Sequence, residues 1–494
     1  MTSWPMQEIA RICQADWQGP AASAGPARRF SSAPSIINHF AIDHRQLGDN
    51  GVFIALPGNR HDGHDFVPQL SARRGQAAIV SHAVAEADIA QLVVADPLKA
   101  LHNLARSKAD QLPAAKIAIT GSVGKTGTKE MLARCLSGFG TTHASPGNFN
   151  NHIGAPLSIA NTPDAARFVI AEMGMNRAGE IGLLANLFNP HIAVITKIAA
   201  SHAGFFSRLE DIADAKAEIF SAFAAGGTAI LPGDDRFFSR LAGAARMAGA
   251  DRILSFGESE GCDIRLSQQT RSPLGQKLLV TAGGQQLELE LAMQAPHWGV
   301  NALAVLAVAA ALELDLQAAA QHLSGMADLP GRGARFDLVI EGHYCRVIDD
   351  AYNAGPASMQ AALADFASLP AKGRVLILSD MLELGSLAES AHAELKTALR
   401  QARPDHLLLI GPLMASLAGE LADELAGELA GDMNEDGQNT AINTEIYQTA
   451  EQACARAREL AGQAELMLIK GSNGSGAHLI AADLRRLAGK GGAG

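Results

Sequence analysis

The sequence predicts an α/β protein of three domains, and three observations lead to this fold class. The chain has 494 residues, and a single domain usually holds about 100–200 residues. Short apolar runs of strand length alternate with helix-length segments, which is the pattern of a parallel sheet with crossover helices. The pattern changes near Pro113 and again in the stretch MADLPGRG, so we place the domains at 1–112, 113–332 and 333–494.

The first third of the chain predicts a small sheet followed by a helix. A short amphipathic segment opens the chain, and a stretch rich in Gly, Ala, Pro and Ser follows it at 19–35. Pro-Gly turn chemistry ends the first apolar run. The predicted strands are 51–58, 76–81 and 91–96, and the predicted helix is 97–110.

The middle third shows the alternation most clearly. Predicted strands lie at 116–121, 168–174, 192–198, 228–233 and 252–257, with helices at 128–139, 178–187, 210–224 and 299–313. Residues 262–292 have the alternation of short antiparallel strands.

The last third predicts a second α/β sheet with helices between its strands. Its predicted strands are 345–350, 374–380, 405–411 and 465–471. We interpret 420–443 as a surface helix that runs into a loop, and we expect the tail 489–494 to be disordered.

Composition and charge favour a globular enzyme of the cytoplasm. Hydrophobic residues make up 48% of the chain, and the net charge of −11 argues against a broad grip on nucleic acid, which needs a basic face. The N-terminus lacks the basic and apolar regions of a signal peptide. The longest apolar run, 303–312, is shorter than the roughly 20 residues of a membrane-spanning helix. Five scattered cysteines without a C-x-x-C motif predict reduced thiols.

The strongest chemical signal is ITGSVGKTGTKEM at 119–131, a buried strand, a glycine turn and then a helix. Backbone N–H groups and the helix N-terminus together bind phosphate in such a turn. Lys125 would reach the β- and γ-phosphates, and the Thr126 hydroxyl would ligate Mg²⁺. The predicted loop comprises Gly121, Ser122, Val123, Gly124, Lys125, Thr126 and Gly127.

The loop departs from the full G-x-x-x-x-G-K-[ST] pattern, because Ile119 occupies the first glycine position. Its placement between a strand and a helix nevertheless supports a nucleotide site. Such a site does not by itself choose among a GTPase, a kinase, a motor or a ligase. A GTPase is unsupported, because no D-x-x-G followed by N-K-x-D occurs downstream.

Further motifs resemble the Mur ligase family, and within it the branch that adds D-alanyl-D-alanine. The motifs are the phosphate loop together with IDHRQLGDNGVFIALPGNRHDGHDFV (42–67), PGNFNNHIGAP (146–156), AEMGMNRAGEI (171–181), SHAGFFSRLEDIADAKAEIF (201–220), IDDAYNAGPASM (348–359), SDMLELG (379–385) and IKGSNGS (469–475). They follow the family order across all three predicted domains.

This resemblance implies an N-terminal UDP-binding α/β domain, a central P-loop ATPase-like domain with a parallel sheet, and a C-terminal Rossmann-like α/β domain. It implies an ATP-dependent ligase that adds D-alanyl-D-alanine to UDP-N-acetylmuramoyl-tripeptide through an acyl phosphate, in peptidoglycan precursor synthesis. The implied cofactors are ATP and Mg²⁺, with a carbamylated lysine. We expect a cytoplasmic monomer without nucleic-acid partners or membrane insertion, whose last domain closes over the site. The third residue of the tripeptide stays open.

The resemblance also implies the catalytic and metal-binding residues. Glu172 ends an apolar strand, where α/β sheets place ligand contacts, and would hold Mg²⁺ with Thr126. His202 would ligate a second Mg²⁺, and Lys216 would be carbamylated. Carbamylation needs the neutral amine, so the pKa of Lys216 must fall from about 10.4, through burial or nearby cations.

The remaining implied residues bind the nucleotide and the substrates. For ATP, these are Asn301 at the adenine edge, Arg332 at the phosphates and Asp350 at the ribose. For the other substrates, they are Asp43, Arg45, Asp62 and His64 in the uridine-binding motif, Asn148, Asn150 and Asn151 on the muramoyl side, and Tyr352, Asn353 and Lys470 in the last domain. Arg45 could pair either with a diphosphate or with an internal acid.

Four positions depart from the family pattern. Gly127 stands where Thr or Ser is usual, and Trp298 stands where many members carry Asn, so we expect part of the adenine contact to be stacking. Gly355 and Asn473 replace Asn and Arg. Two alternatives stay open: a sister ligase of the superfamily that adds a single amino acid, and a nucleotide-binding protein without turnover.

Overall fold

The computed structural model describes residues 2–18, 35–58, 61–71, 74–199, 206, 208–272, 275–326, 328–418 and 442–491. Within these residues the predicted α/β fold class is confirmed, with three larger sheets that follow one another along the chain.

The first unit is built on a small, mostly parallel sheet. In the described part of this unit, five strands lie in the order β2-β7-β6-β5-β4, and β2 is antiparallel to its neighbour. Every residue of β5 and β6 is buried, as expected for parallel strands covered on both faces. The elements are β1 (Trp4–Pro5), α1 (Met6–Cys13), β2 (Asp16–Gln18), β3 (Ile36–Ile37), β4 (His39–Ala41), β5 (Gly51–Ile54), β6 (Ala77–Val80), β7 (Ala90–Val93) and α2 (Pro97–Gln111).

The central unit contains the largest sheet. Among the residues described there, nine strands lie in the order β16-β15-β14-β13-β12-β11-β8-β10-β9. Strands β8 to β14 run parallel, and β15 and β16 extend the sheet antiparallel. The elements are β8 (Ala115–Thr120), α3 (Lys125–Ser137), β9 (Thr142–Ala144), α4 (Gly154–Ala160), β10 (Phe168–Glu172), α5 (Glu180–Phe188), β11 (Ile192–Ile195), α6 (Leu209–Ala217), β12 (Thr228–Pro232), α7 (Phe238–Met247), β13 (Arg252–Gly257), β14 (Ile264–Ser272), β15 (Gly275–Ala282), β16 (Gln285–Leu291), α8 (His297–Ala311) and α9 (Leu316–Leu323).

Apolar cores cover both faces of this central sheet. Helices α3, α8 and α9 pack on one face. Helices α2, α4, α5, α6 and α7 contribute to the core on the other. Helix α8 is apolar on all sides and buried over most of its length, which is typical of a helix enclosed by other elements.

The last unit has a second mixed sheet. Its described strands lie in the order β17-β18-β22-β19-β20-β21, and β17 alone among these is antiparallel to its neighbour. The elements are β17 (Ala334–Ile340), β18 (His343–Asp350), α10 (Pro356–Ser368), β19 (Arg374–Ser379), α11 (Ala388–Ala393), α12 (Lys396–Ala402), β20 (His406–Ile410), β21 (Asn443–Tyr447), α13 (Ala450–Ala461), β22 (Leu466–Lys470) and α14 (Ala477–Gly491).

Several sequence expectations need correction. The helix predicted at 210–224 ends as an α-helix at Ala217 and continues as a single three-ten turn, Glu218–Phe220. The tail predicted to be disordered is helical as far as Gly491. The antiparallel strands at 262–292 are longer than expected, with β14 holding 9 residues. Of the surface helix and loop predicted at 420–443, residues 420–441 lie outside the described residues.

No described helix has both the length and the apolar character that crossing a membrane would require.

Hydrogen bonds to backbone groups fasten the first unit to the central unit. The Asn161 side chain accepts from the Phe40 backbone N–H at 2.8 Å and donates to the Phe40 carbonyl at 2.9 Å. The Trp4 indole N–H donates to the Ala160 carbonyl at 3.1 Å, and the Thr2 hydroxyl donates to the Asn161 carbonyl at 2.8 Å. These bonds satisfy polar groups that are partly or fully buried, so they fix the two units in one orientation.

Asn161→Ala should therefore destabilise the protein. The change leaves two backbone groups of the buried Phe40 without their partner, and we expect the free energy of unfolding to fall by about 2 kcal/mol. Urea denaturation would measure the loss. Asn186→Ala removes the side chain of an exposed helical asparagine and should change stability by less than about 0.5 kcal/mol. Equal effects of the two variants would contradict the assigned role of Asn161.

Candidate active site

The loop between β8 and α3 has the geometry of a phosphate-binding turn. Two of its residues, Gly121 and Gly124, have positive φ angles of 153° and 87°, a region that glycine enters without steric cost. Gly124 is also the residue that precedes helix α3. The first backbone N–H groups of that helix have no partner within the helix, so they and the helix dipole favour an anion in front of the loop.

Side chains from the neighbouring strand hold this loop in place. The Thr196 hydroxyl, just beyond β11, donates to the Val123 carbonyl at 2.6 Å. The Ser122 hydroxyl donates to the Ala199 carbonyl at 2.8 Å and accepts from the Ala199 N–H at 3.0 Å. Gly121 has no space for a side chain, because a Cβ there would lie 1.9 Å from the Thr196 hydroxyl oxygen. The loop is thus bound to the segment that follows β11.

Lys125 is the first residue of α3, and its ammonium donates to the Gly121 carbonyl at 2.7 Å. Burial lowers the pKa of Lys125, and the nearby Arg332 adds to this effect, whereas the charge of Glu172 opposes it. The ammonium therefore stands within electrostatic range of the Glu172 carboxylate and of the Arg332 guanidinium, which lies at the end of the central unit.

Glu172, at the end of β10, is the acidic centre of the site and is only 1% exposed. Its Oε1 accepts from the Thr126 hydroxyl at 3.1 Å and from the Asn150 amide at 2.8 Å. The structure thus brings Thr126 and Glu172 together, as predicted. It also brings Asn150 to Glu172, and the position of Asn150 on the muramoyl side stays a prediction.

Lys129 is a buried lysine that sequence reasoning did not identify. Its ammonium donates to the carbonyls of Ser145 at 2.6 Å and Gly147 at 2.7 Å, and it lies 3.7 Å from Glu172 Oε2. The residue is 0% exposed. The Lys129 ammonium therefore holds the 145–147 segment through two hydrogen bonds and also attracts the second carboxylate oxygen of Glu172. The available signals were its place in the motif at 119–131 and its position one helical turn after Lys125.

The donors fit a divalent cation at Glu172. Glu172 Oε2 is buried without a hydrogen-bond partner among the described atoms. Most buried carboxylate oxygens in proteins do have such a partner, so this oxygen is free to bind a cation. A carboxylate oxygen beside a hydroxyl is the hard donor set that Mg²⁺ prefers. Within the described residues, no group of three His, Cys, Asp or Glu side chains could hold a metal by itself.

Lys216 lies on α6 and is 1% exposed. Burial lowers its pKa well below the ordinary lysine value, and the positive charge of Lys125 lowers it further. The direction is the one that carbamylation requires, since the reacting form is the neutral amine. His202, the other implied metal ligand, lies outside the described residues.

A cavity of about 890 Å³ lies between the central and last units. Most of the predicted site residues line it. These are Ser122, Val123, Gly124, Lys125, Thr126, Gly127, Asn148, Asn150, Asn151, Glu172, Asn301, Arg332, Asp350, Tyr352, Asn353 and Lys470. The lining does not include Gly121, Lys216 or the four residues predicted in the first unit.

The last unit contributes a paired acid and base to this cavity. The Lys470 ammonium donates to Asp350 Oδ2 at 2.6 Å and to the Asn353 carbonyl at 3.1 Å, and Lys470 is 1% exposed. The Arg332 guanidinium lies 4.1 Å from the centre of the Tyr352 ring, a cation–π distance. These residues form one cluster at the ends of β18 and β22.

Trp298 lies between the core and the cavity. Its ring is 1% exposed and belongs to the core of the central unit, and the residue also lines the cavity. Stacking of the ring on adenine stays a prediction. Gly355, another departure from the family pattern, precedes α10, and a Cβ there would meet no atom within 4 Å. That exchange is therefore sterically neutral.

The asparagines of 148–151 have separate roles. The Asn151 side chain accepts from the N–H groups of Ile153 at 3.1 Å and Gly154 at 2.8 Å, so it caps the start of α4. Asn148 lines the cavity.

The four residues predicted to contact uridine form two local pairs in the first unit. Arg45 donates to both oxygens of Asp43, at 2.9 and 2.8 Å, and this contact lowers the pKa of Asp43 to about 2. The structure thus pairs Arg45 with an internal acid, one of the two alternatives left open. His64 lies 2.6 Å from Asp62 through Nδ1, and its Nε2 accepts from the Ser81 N–H at 2.9 Å. Both ring nitrogens of His64 are thereby engaged within the protein.

Comparisons with known proteins match most of the chain. The Mur ligase middle domain matches residues 119–309, and the Mur ligase, glutamate ligase domain, matches residues 334–473. The UDP-N-acetylmuramoyl-tripeptide–D-alanyl-D-alanine ligase of Rickettsia prowazekii is 32% identical over 440 residues, which cover 88% of this chain and 93% of the relative. The corresponding ligase of Bacillus subtilis is 35% identical over 395 residues, or 78% of this chain and 82% of the relative.

A solved structure resembles the whole chain. The crystal structure of MurF from Acinetobacter baumannii superimposes with a TM-score of 0.80 at 29% identity, covering 98% of this chain and 99% of that one. Sequence relationship and fold therefore agree across all three sheets. The chain belongs to the Mur ligase family.

Proposed function

We propose that the chain is an ATP-dependent ligase that joins D-alanyl-D-alanine to UDP-N-acetylmuramoyl-tripeptide in peptidoglycan precursor synthesis. The observation that carries the proposal is the phosphate loop with Lys125 and Thr126 beside the buried Glu172, on the wall of a cavity between two units. The named relatives support the choice of both substrates, because they carry that activity in their names.

The reaction needs activation because a carboxylate is a poor acylating agent at neutral pH. Transfer of the γ-phosphoryl group of ATP to the tripeptide carboxylate gives an acyl phosphate and ADP. The amine of D-alanyl-D-alanine then attacks the acyl carbon, and phosphate leaves as the amide forms. The protein has to stabilise charge and hold the reactants in line.

The amides of 122–126 and the Lys125 ammonium would stabilise the transferring phosphoryl group. Thr126 and Glu172 would hold Mg²⁺, which neutralises charge on the β- and γ-phosphates when bound. His202 and a carbamylated Lys216 would complete a second metal site. The fully buried Lys129 would keep Glu172 and the 145–147 segment fixed while charge moves in front of them.

The nucleotide would lie along the cavity wall shared by the central and last units. Asn301 would contact the adenine, Arg332 the phosphates and Asp350 the ribose, all three at the cavity surface. Tyr352, Asn353 and Lys470 would face the dipeptide side.

The tripeptide would enter from the first unit past Asn148 and Asn151. We propose that 1–112, 113–332 and 333–494 act as three domains in this reaction. We further propose a monomer in the cytoplasm, in keeping with the free state of Cys13, Cys135, Cys262, Cys345 and Cys454.

An acceptor panel tests the proposal directly. Purified protein with ATP, Mg²⁺ and UDP-linked tripeptide should release ADP only when D-alanyl-D-alanine is added, and mass spectrometry should show a UDP-linked pentapeptide. The tripeptide should be supplied with either meso-diaminopimelate or lysine at its third position. Turnover with a single amino acid and none with the dipeptide would identify a sister ligase instead. Nucleotide binding without any product would identify a protein without turnover.

Lys125→Ala should remove ligation while leaving the fold intact. Loss of one preorganised cationic donor at a phosphoryl group lowers the rate by about 10²–10³, so we expect product formation to fall at least 100-fold. ADP release and pentapeptide yield measure this loss. Lys99→Ala, which changes an exposed lysine on α2, should keep parental activity. Full activity of the Lys125 variant would refute the role of the loop.

Carbamylation of Lys216 should be visible by ¹³C NMR in the presence of ¹³C-labelled bicarbonate. Addition of CO₂ to the amine releases a proton, so the carbamate persists above the pKa of the amine and declines as the pH falls through it. Because burial and Lys125 lower that pKa, we expect the signal at neutral pH. Lys216→Ala should abolish the signal and the activity, and the exposed Lys372→Ala should change neither. A signal unaffected by Lys216→Ala would contradict the assignment.

A further inference from the structure

The backbone conformation of helix α3 does not require a glycine at position 127. Gly127 lies in the first turn of α3, its φ angle is outside the positive region, and it is buried. Glycine in a helix destabilises it relative to alanine, because the unfolded chain has more freedom to lose. A reason for glycine must therefore come from its surroundings.

The surroundings supply that reason in the indole of Trp298. A Cβ added to Gly127 would lie 2.6 Å from Trp298 Cζ3 and 3.1 Å from Cη2. Contacts below 3.0 Å require a neighbour to move, and Trp298 is enclosed in the core with 1% exposure. Close packing of such a core leaves little room for that movement.

Asn301, one helical turn after Trp298 in α8, extends the same contact. Its Oδ1 would lie 3.0 Å from a Cβ at Gly124, and its Nδ2 would lie 3.1 Å from a Cβ at Gly127. The Asn301 Nδ2 and the Trp298 Nε1 are both buried without a hydrogen-bond partner among the described atoms. The first turn of α8 thus fits into a groove formed by two glycines at the start of α3.

We propose that Trp298 is a positioning residue of the nucleotide site and that Gly127 is matched to it. The indole, seated where a side chain at 127 would otherwise lie, sets the position of the first turn of α3, and therefore of Lys125 and Thr126. The structure puts these two residues in direct contact. The proposed nucleotide role of the loop underlies this inference, whereas the packing itself does not depend on it.

A helical glycine in open surroundings provides a matched control. Gly243 lies within α7, and a Cβ there would meet no atom within 4 Å. Helix propensity alone predicts that Gly127→Ala and Gly243→Ala both raise the thermal midpoint. We expect Gly243→Ala to raise it or leave it unchanged, and Gly127→Ala to lower it. A midpoint for Gly127→Ala at or above that of the parent would overturn the packing argument.

A double-mutant cycle then tests the positioning role. Gly127→Ser and Trp298→Asn should each raise the KM for ATP by about tenfold or more, with a smaller change in KM for D-alanyl-D-alanine. The double variant should return to within about threefold of the parent, because residues in contact are coupled. Trp298→Phe keeps an aromatic ring but lacks Cζ3 and Cη2, so it should raise the KM for ATP by less than Trp298→Asn does, and it remains informative if Trp298→Asn folds poorly.

The outcomes separate this inference from the proposed function. Additive effects in the cycle, or lowered stability without any change in the KM for ATP, would overturn the positioning role. A parent protein without ligase activity would refute the proposed function, and the cycle would then be measured by ADP binding in calorimetry. The thermal midpoints of the two glycine variants need no activity at all.

Discussion

The site depends on the attachment of one loop to the carboxyl ends of the strands in a parallel sheet. Strand β8 lies between β10 and β11, so the chain segments that leave these three strands meet at the same edge. The register pairs Glu172 with Ile119 and Ile195 with Thr120. Glu172 and Thr196 consequently flank the loop that begins at Gly121. Parallel strands alone make this possible, because their carboxyl ends point the same way.

Buried charged side chains surround this loop, and their pairing determines the free-energy cost of burying them. Lys129 and Glu172 are 0% and 1% exposed, and isolation of either charge would cost several kcal/mol. The protein offsets that cost with two carbonyls on Lys129 and two donors on Glu172 Oε1. Burial lowers the pKa of Lys216 well below the ordinary lysine value, and the positive charge of Lys125 lowers it further.

The sequence predicted the site residues that are contiguous in the chain, but not those that only the folded structure brings together. The loop from Gly121 to Gly127 was predictable because its strand, turn and helix are contiguous. Lys129 was not, since a lysine inside a helix resembles any solvated one until the 145–147 segment is placed over it. The contact of Asn150 with Glu172 was not predicted for the same reason, because it depends on the pairing of β10 with β9, the strand that precedes Asn150 in the chain.

The edge strands show the same limit within the fold. Long apolar runs predicted β8, β10, β19 and β22, whereas the short or half-exposed β9 and β21 gave no signal. Their formation depends on a neighbouring strand rather than on their own sequence. The contact between Gly127 and Trp298 belongs to this class too, because 171 positions of sequence separate two residues that only the sheet brings together.

Both boundaries between units combine hydrogen bonds with charged contacts. Asn161 and Trp4 join the first and central units through hydrogen bonds to backbone groups, and the Lys108 ammonium pairs with Asp164 across the same boundary. Between the central and last units, Asp365 accepts from Arg271 at 2.5 Å, and within the last unit the same carboxylate accepts from Arg335 at 3.0 Å. The partly exposed Arg271–Asp365 pair contributes little net stability, because solvent screens it. A contact of this kind suits a boundary beside a cavity that must admit substrates and then exclude water.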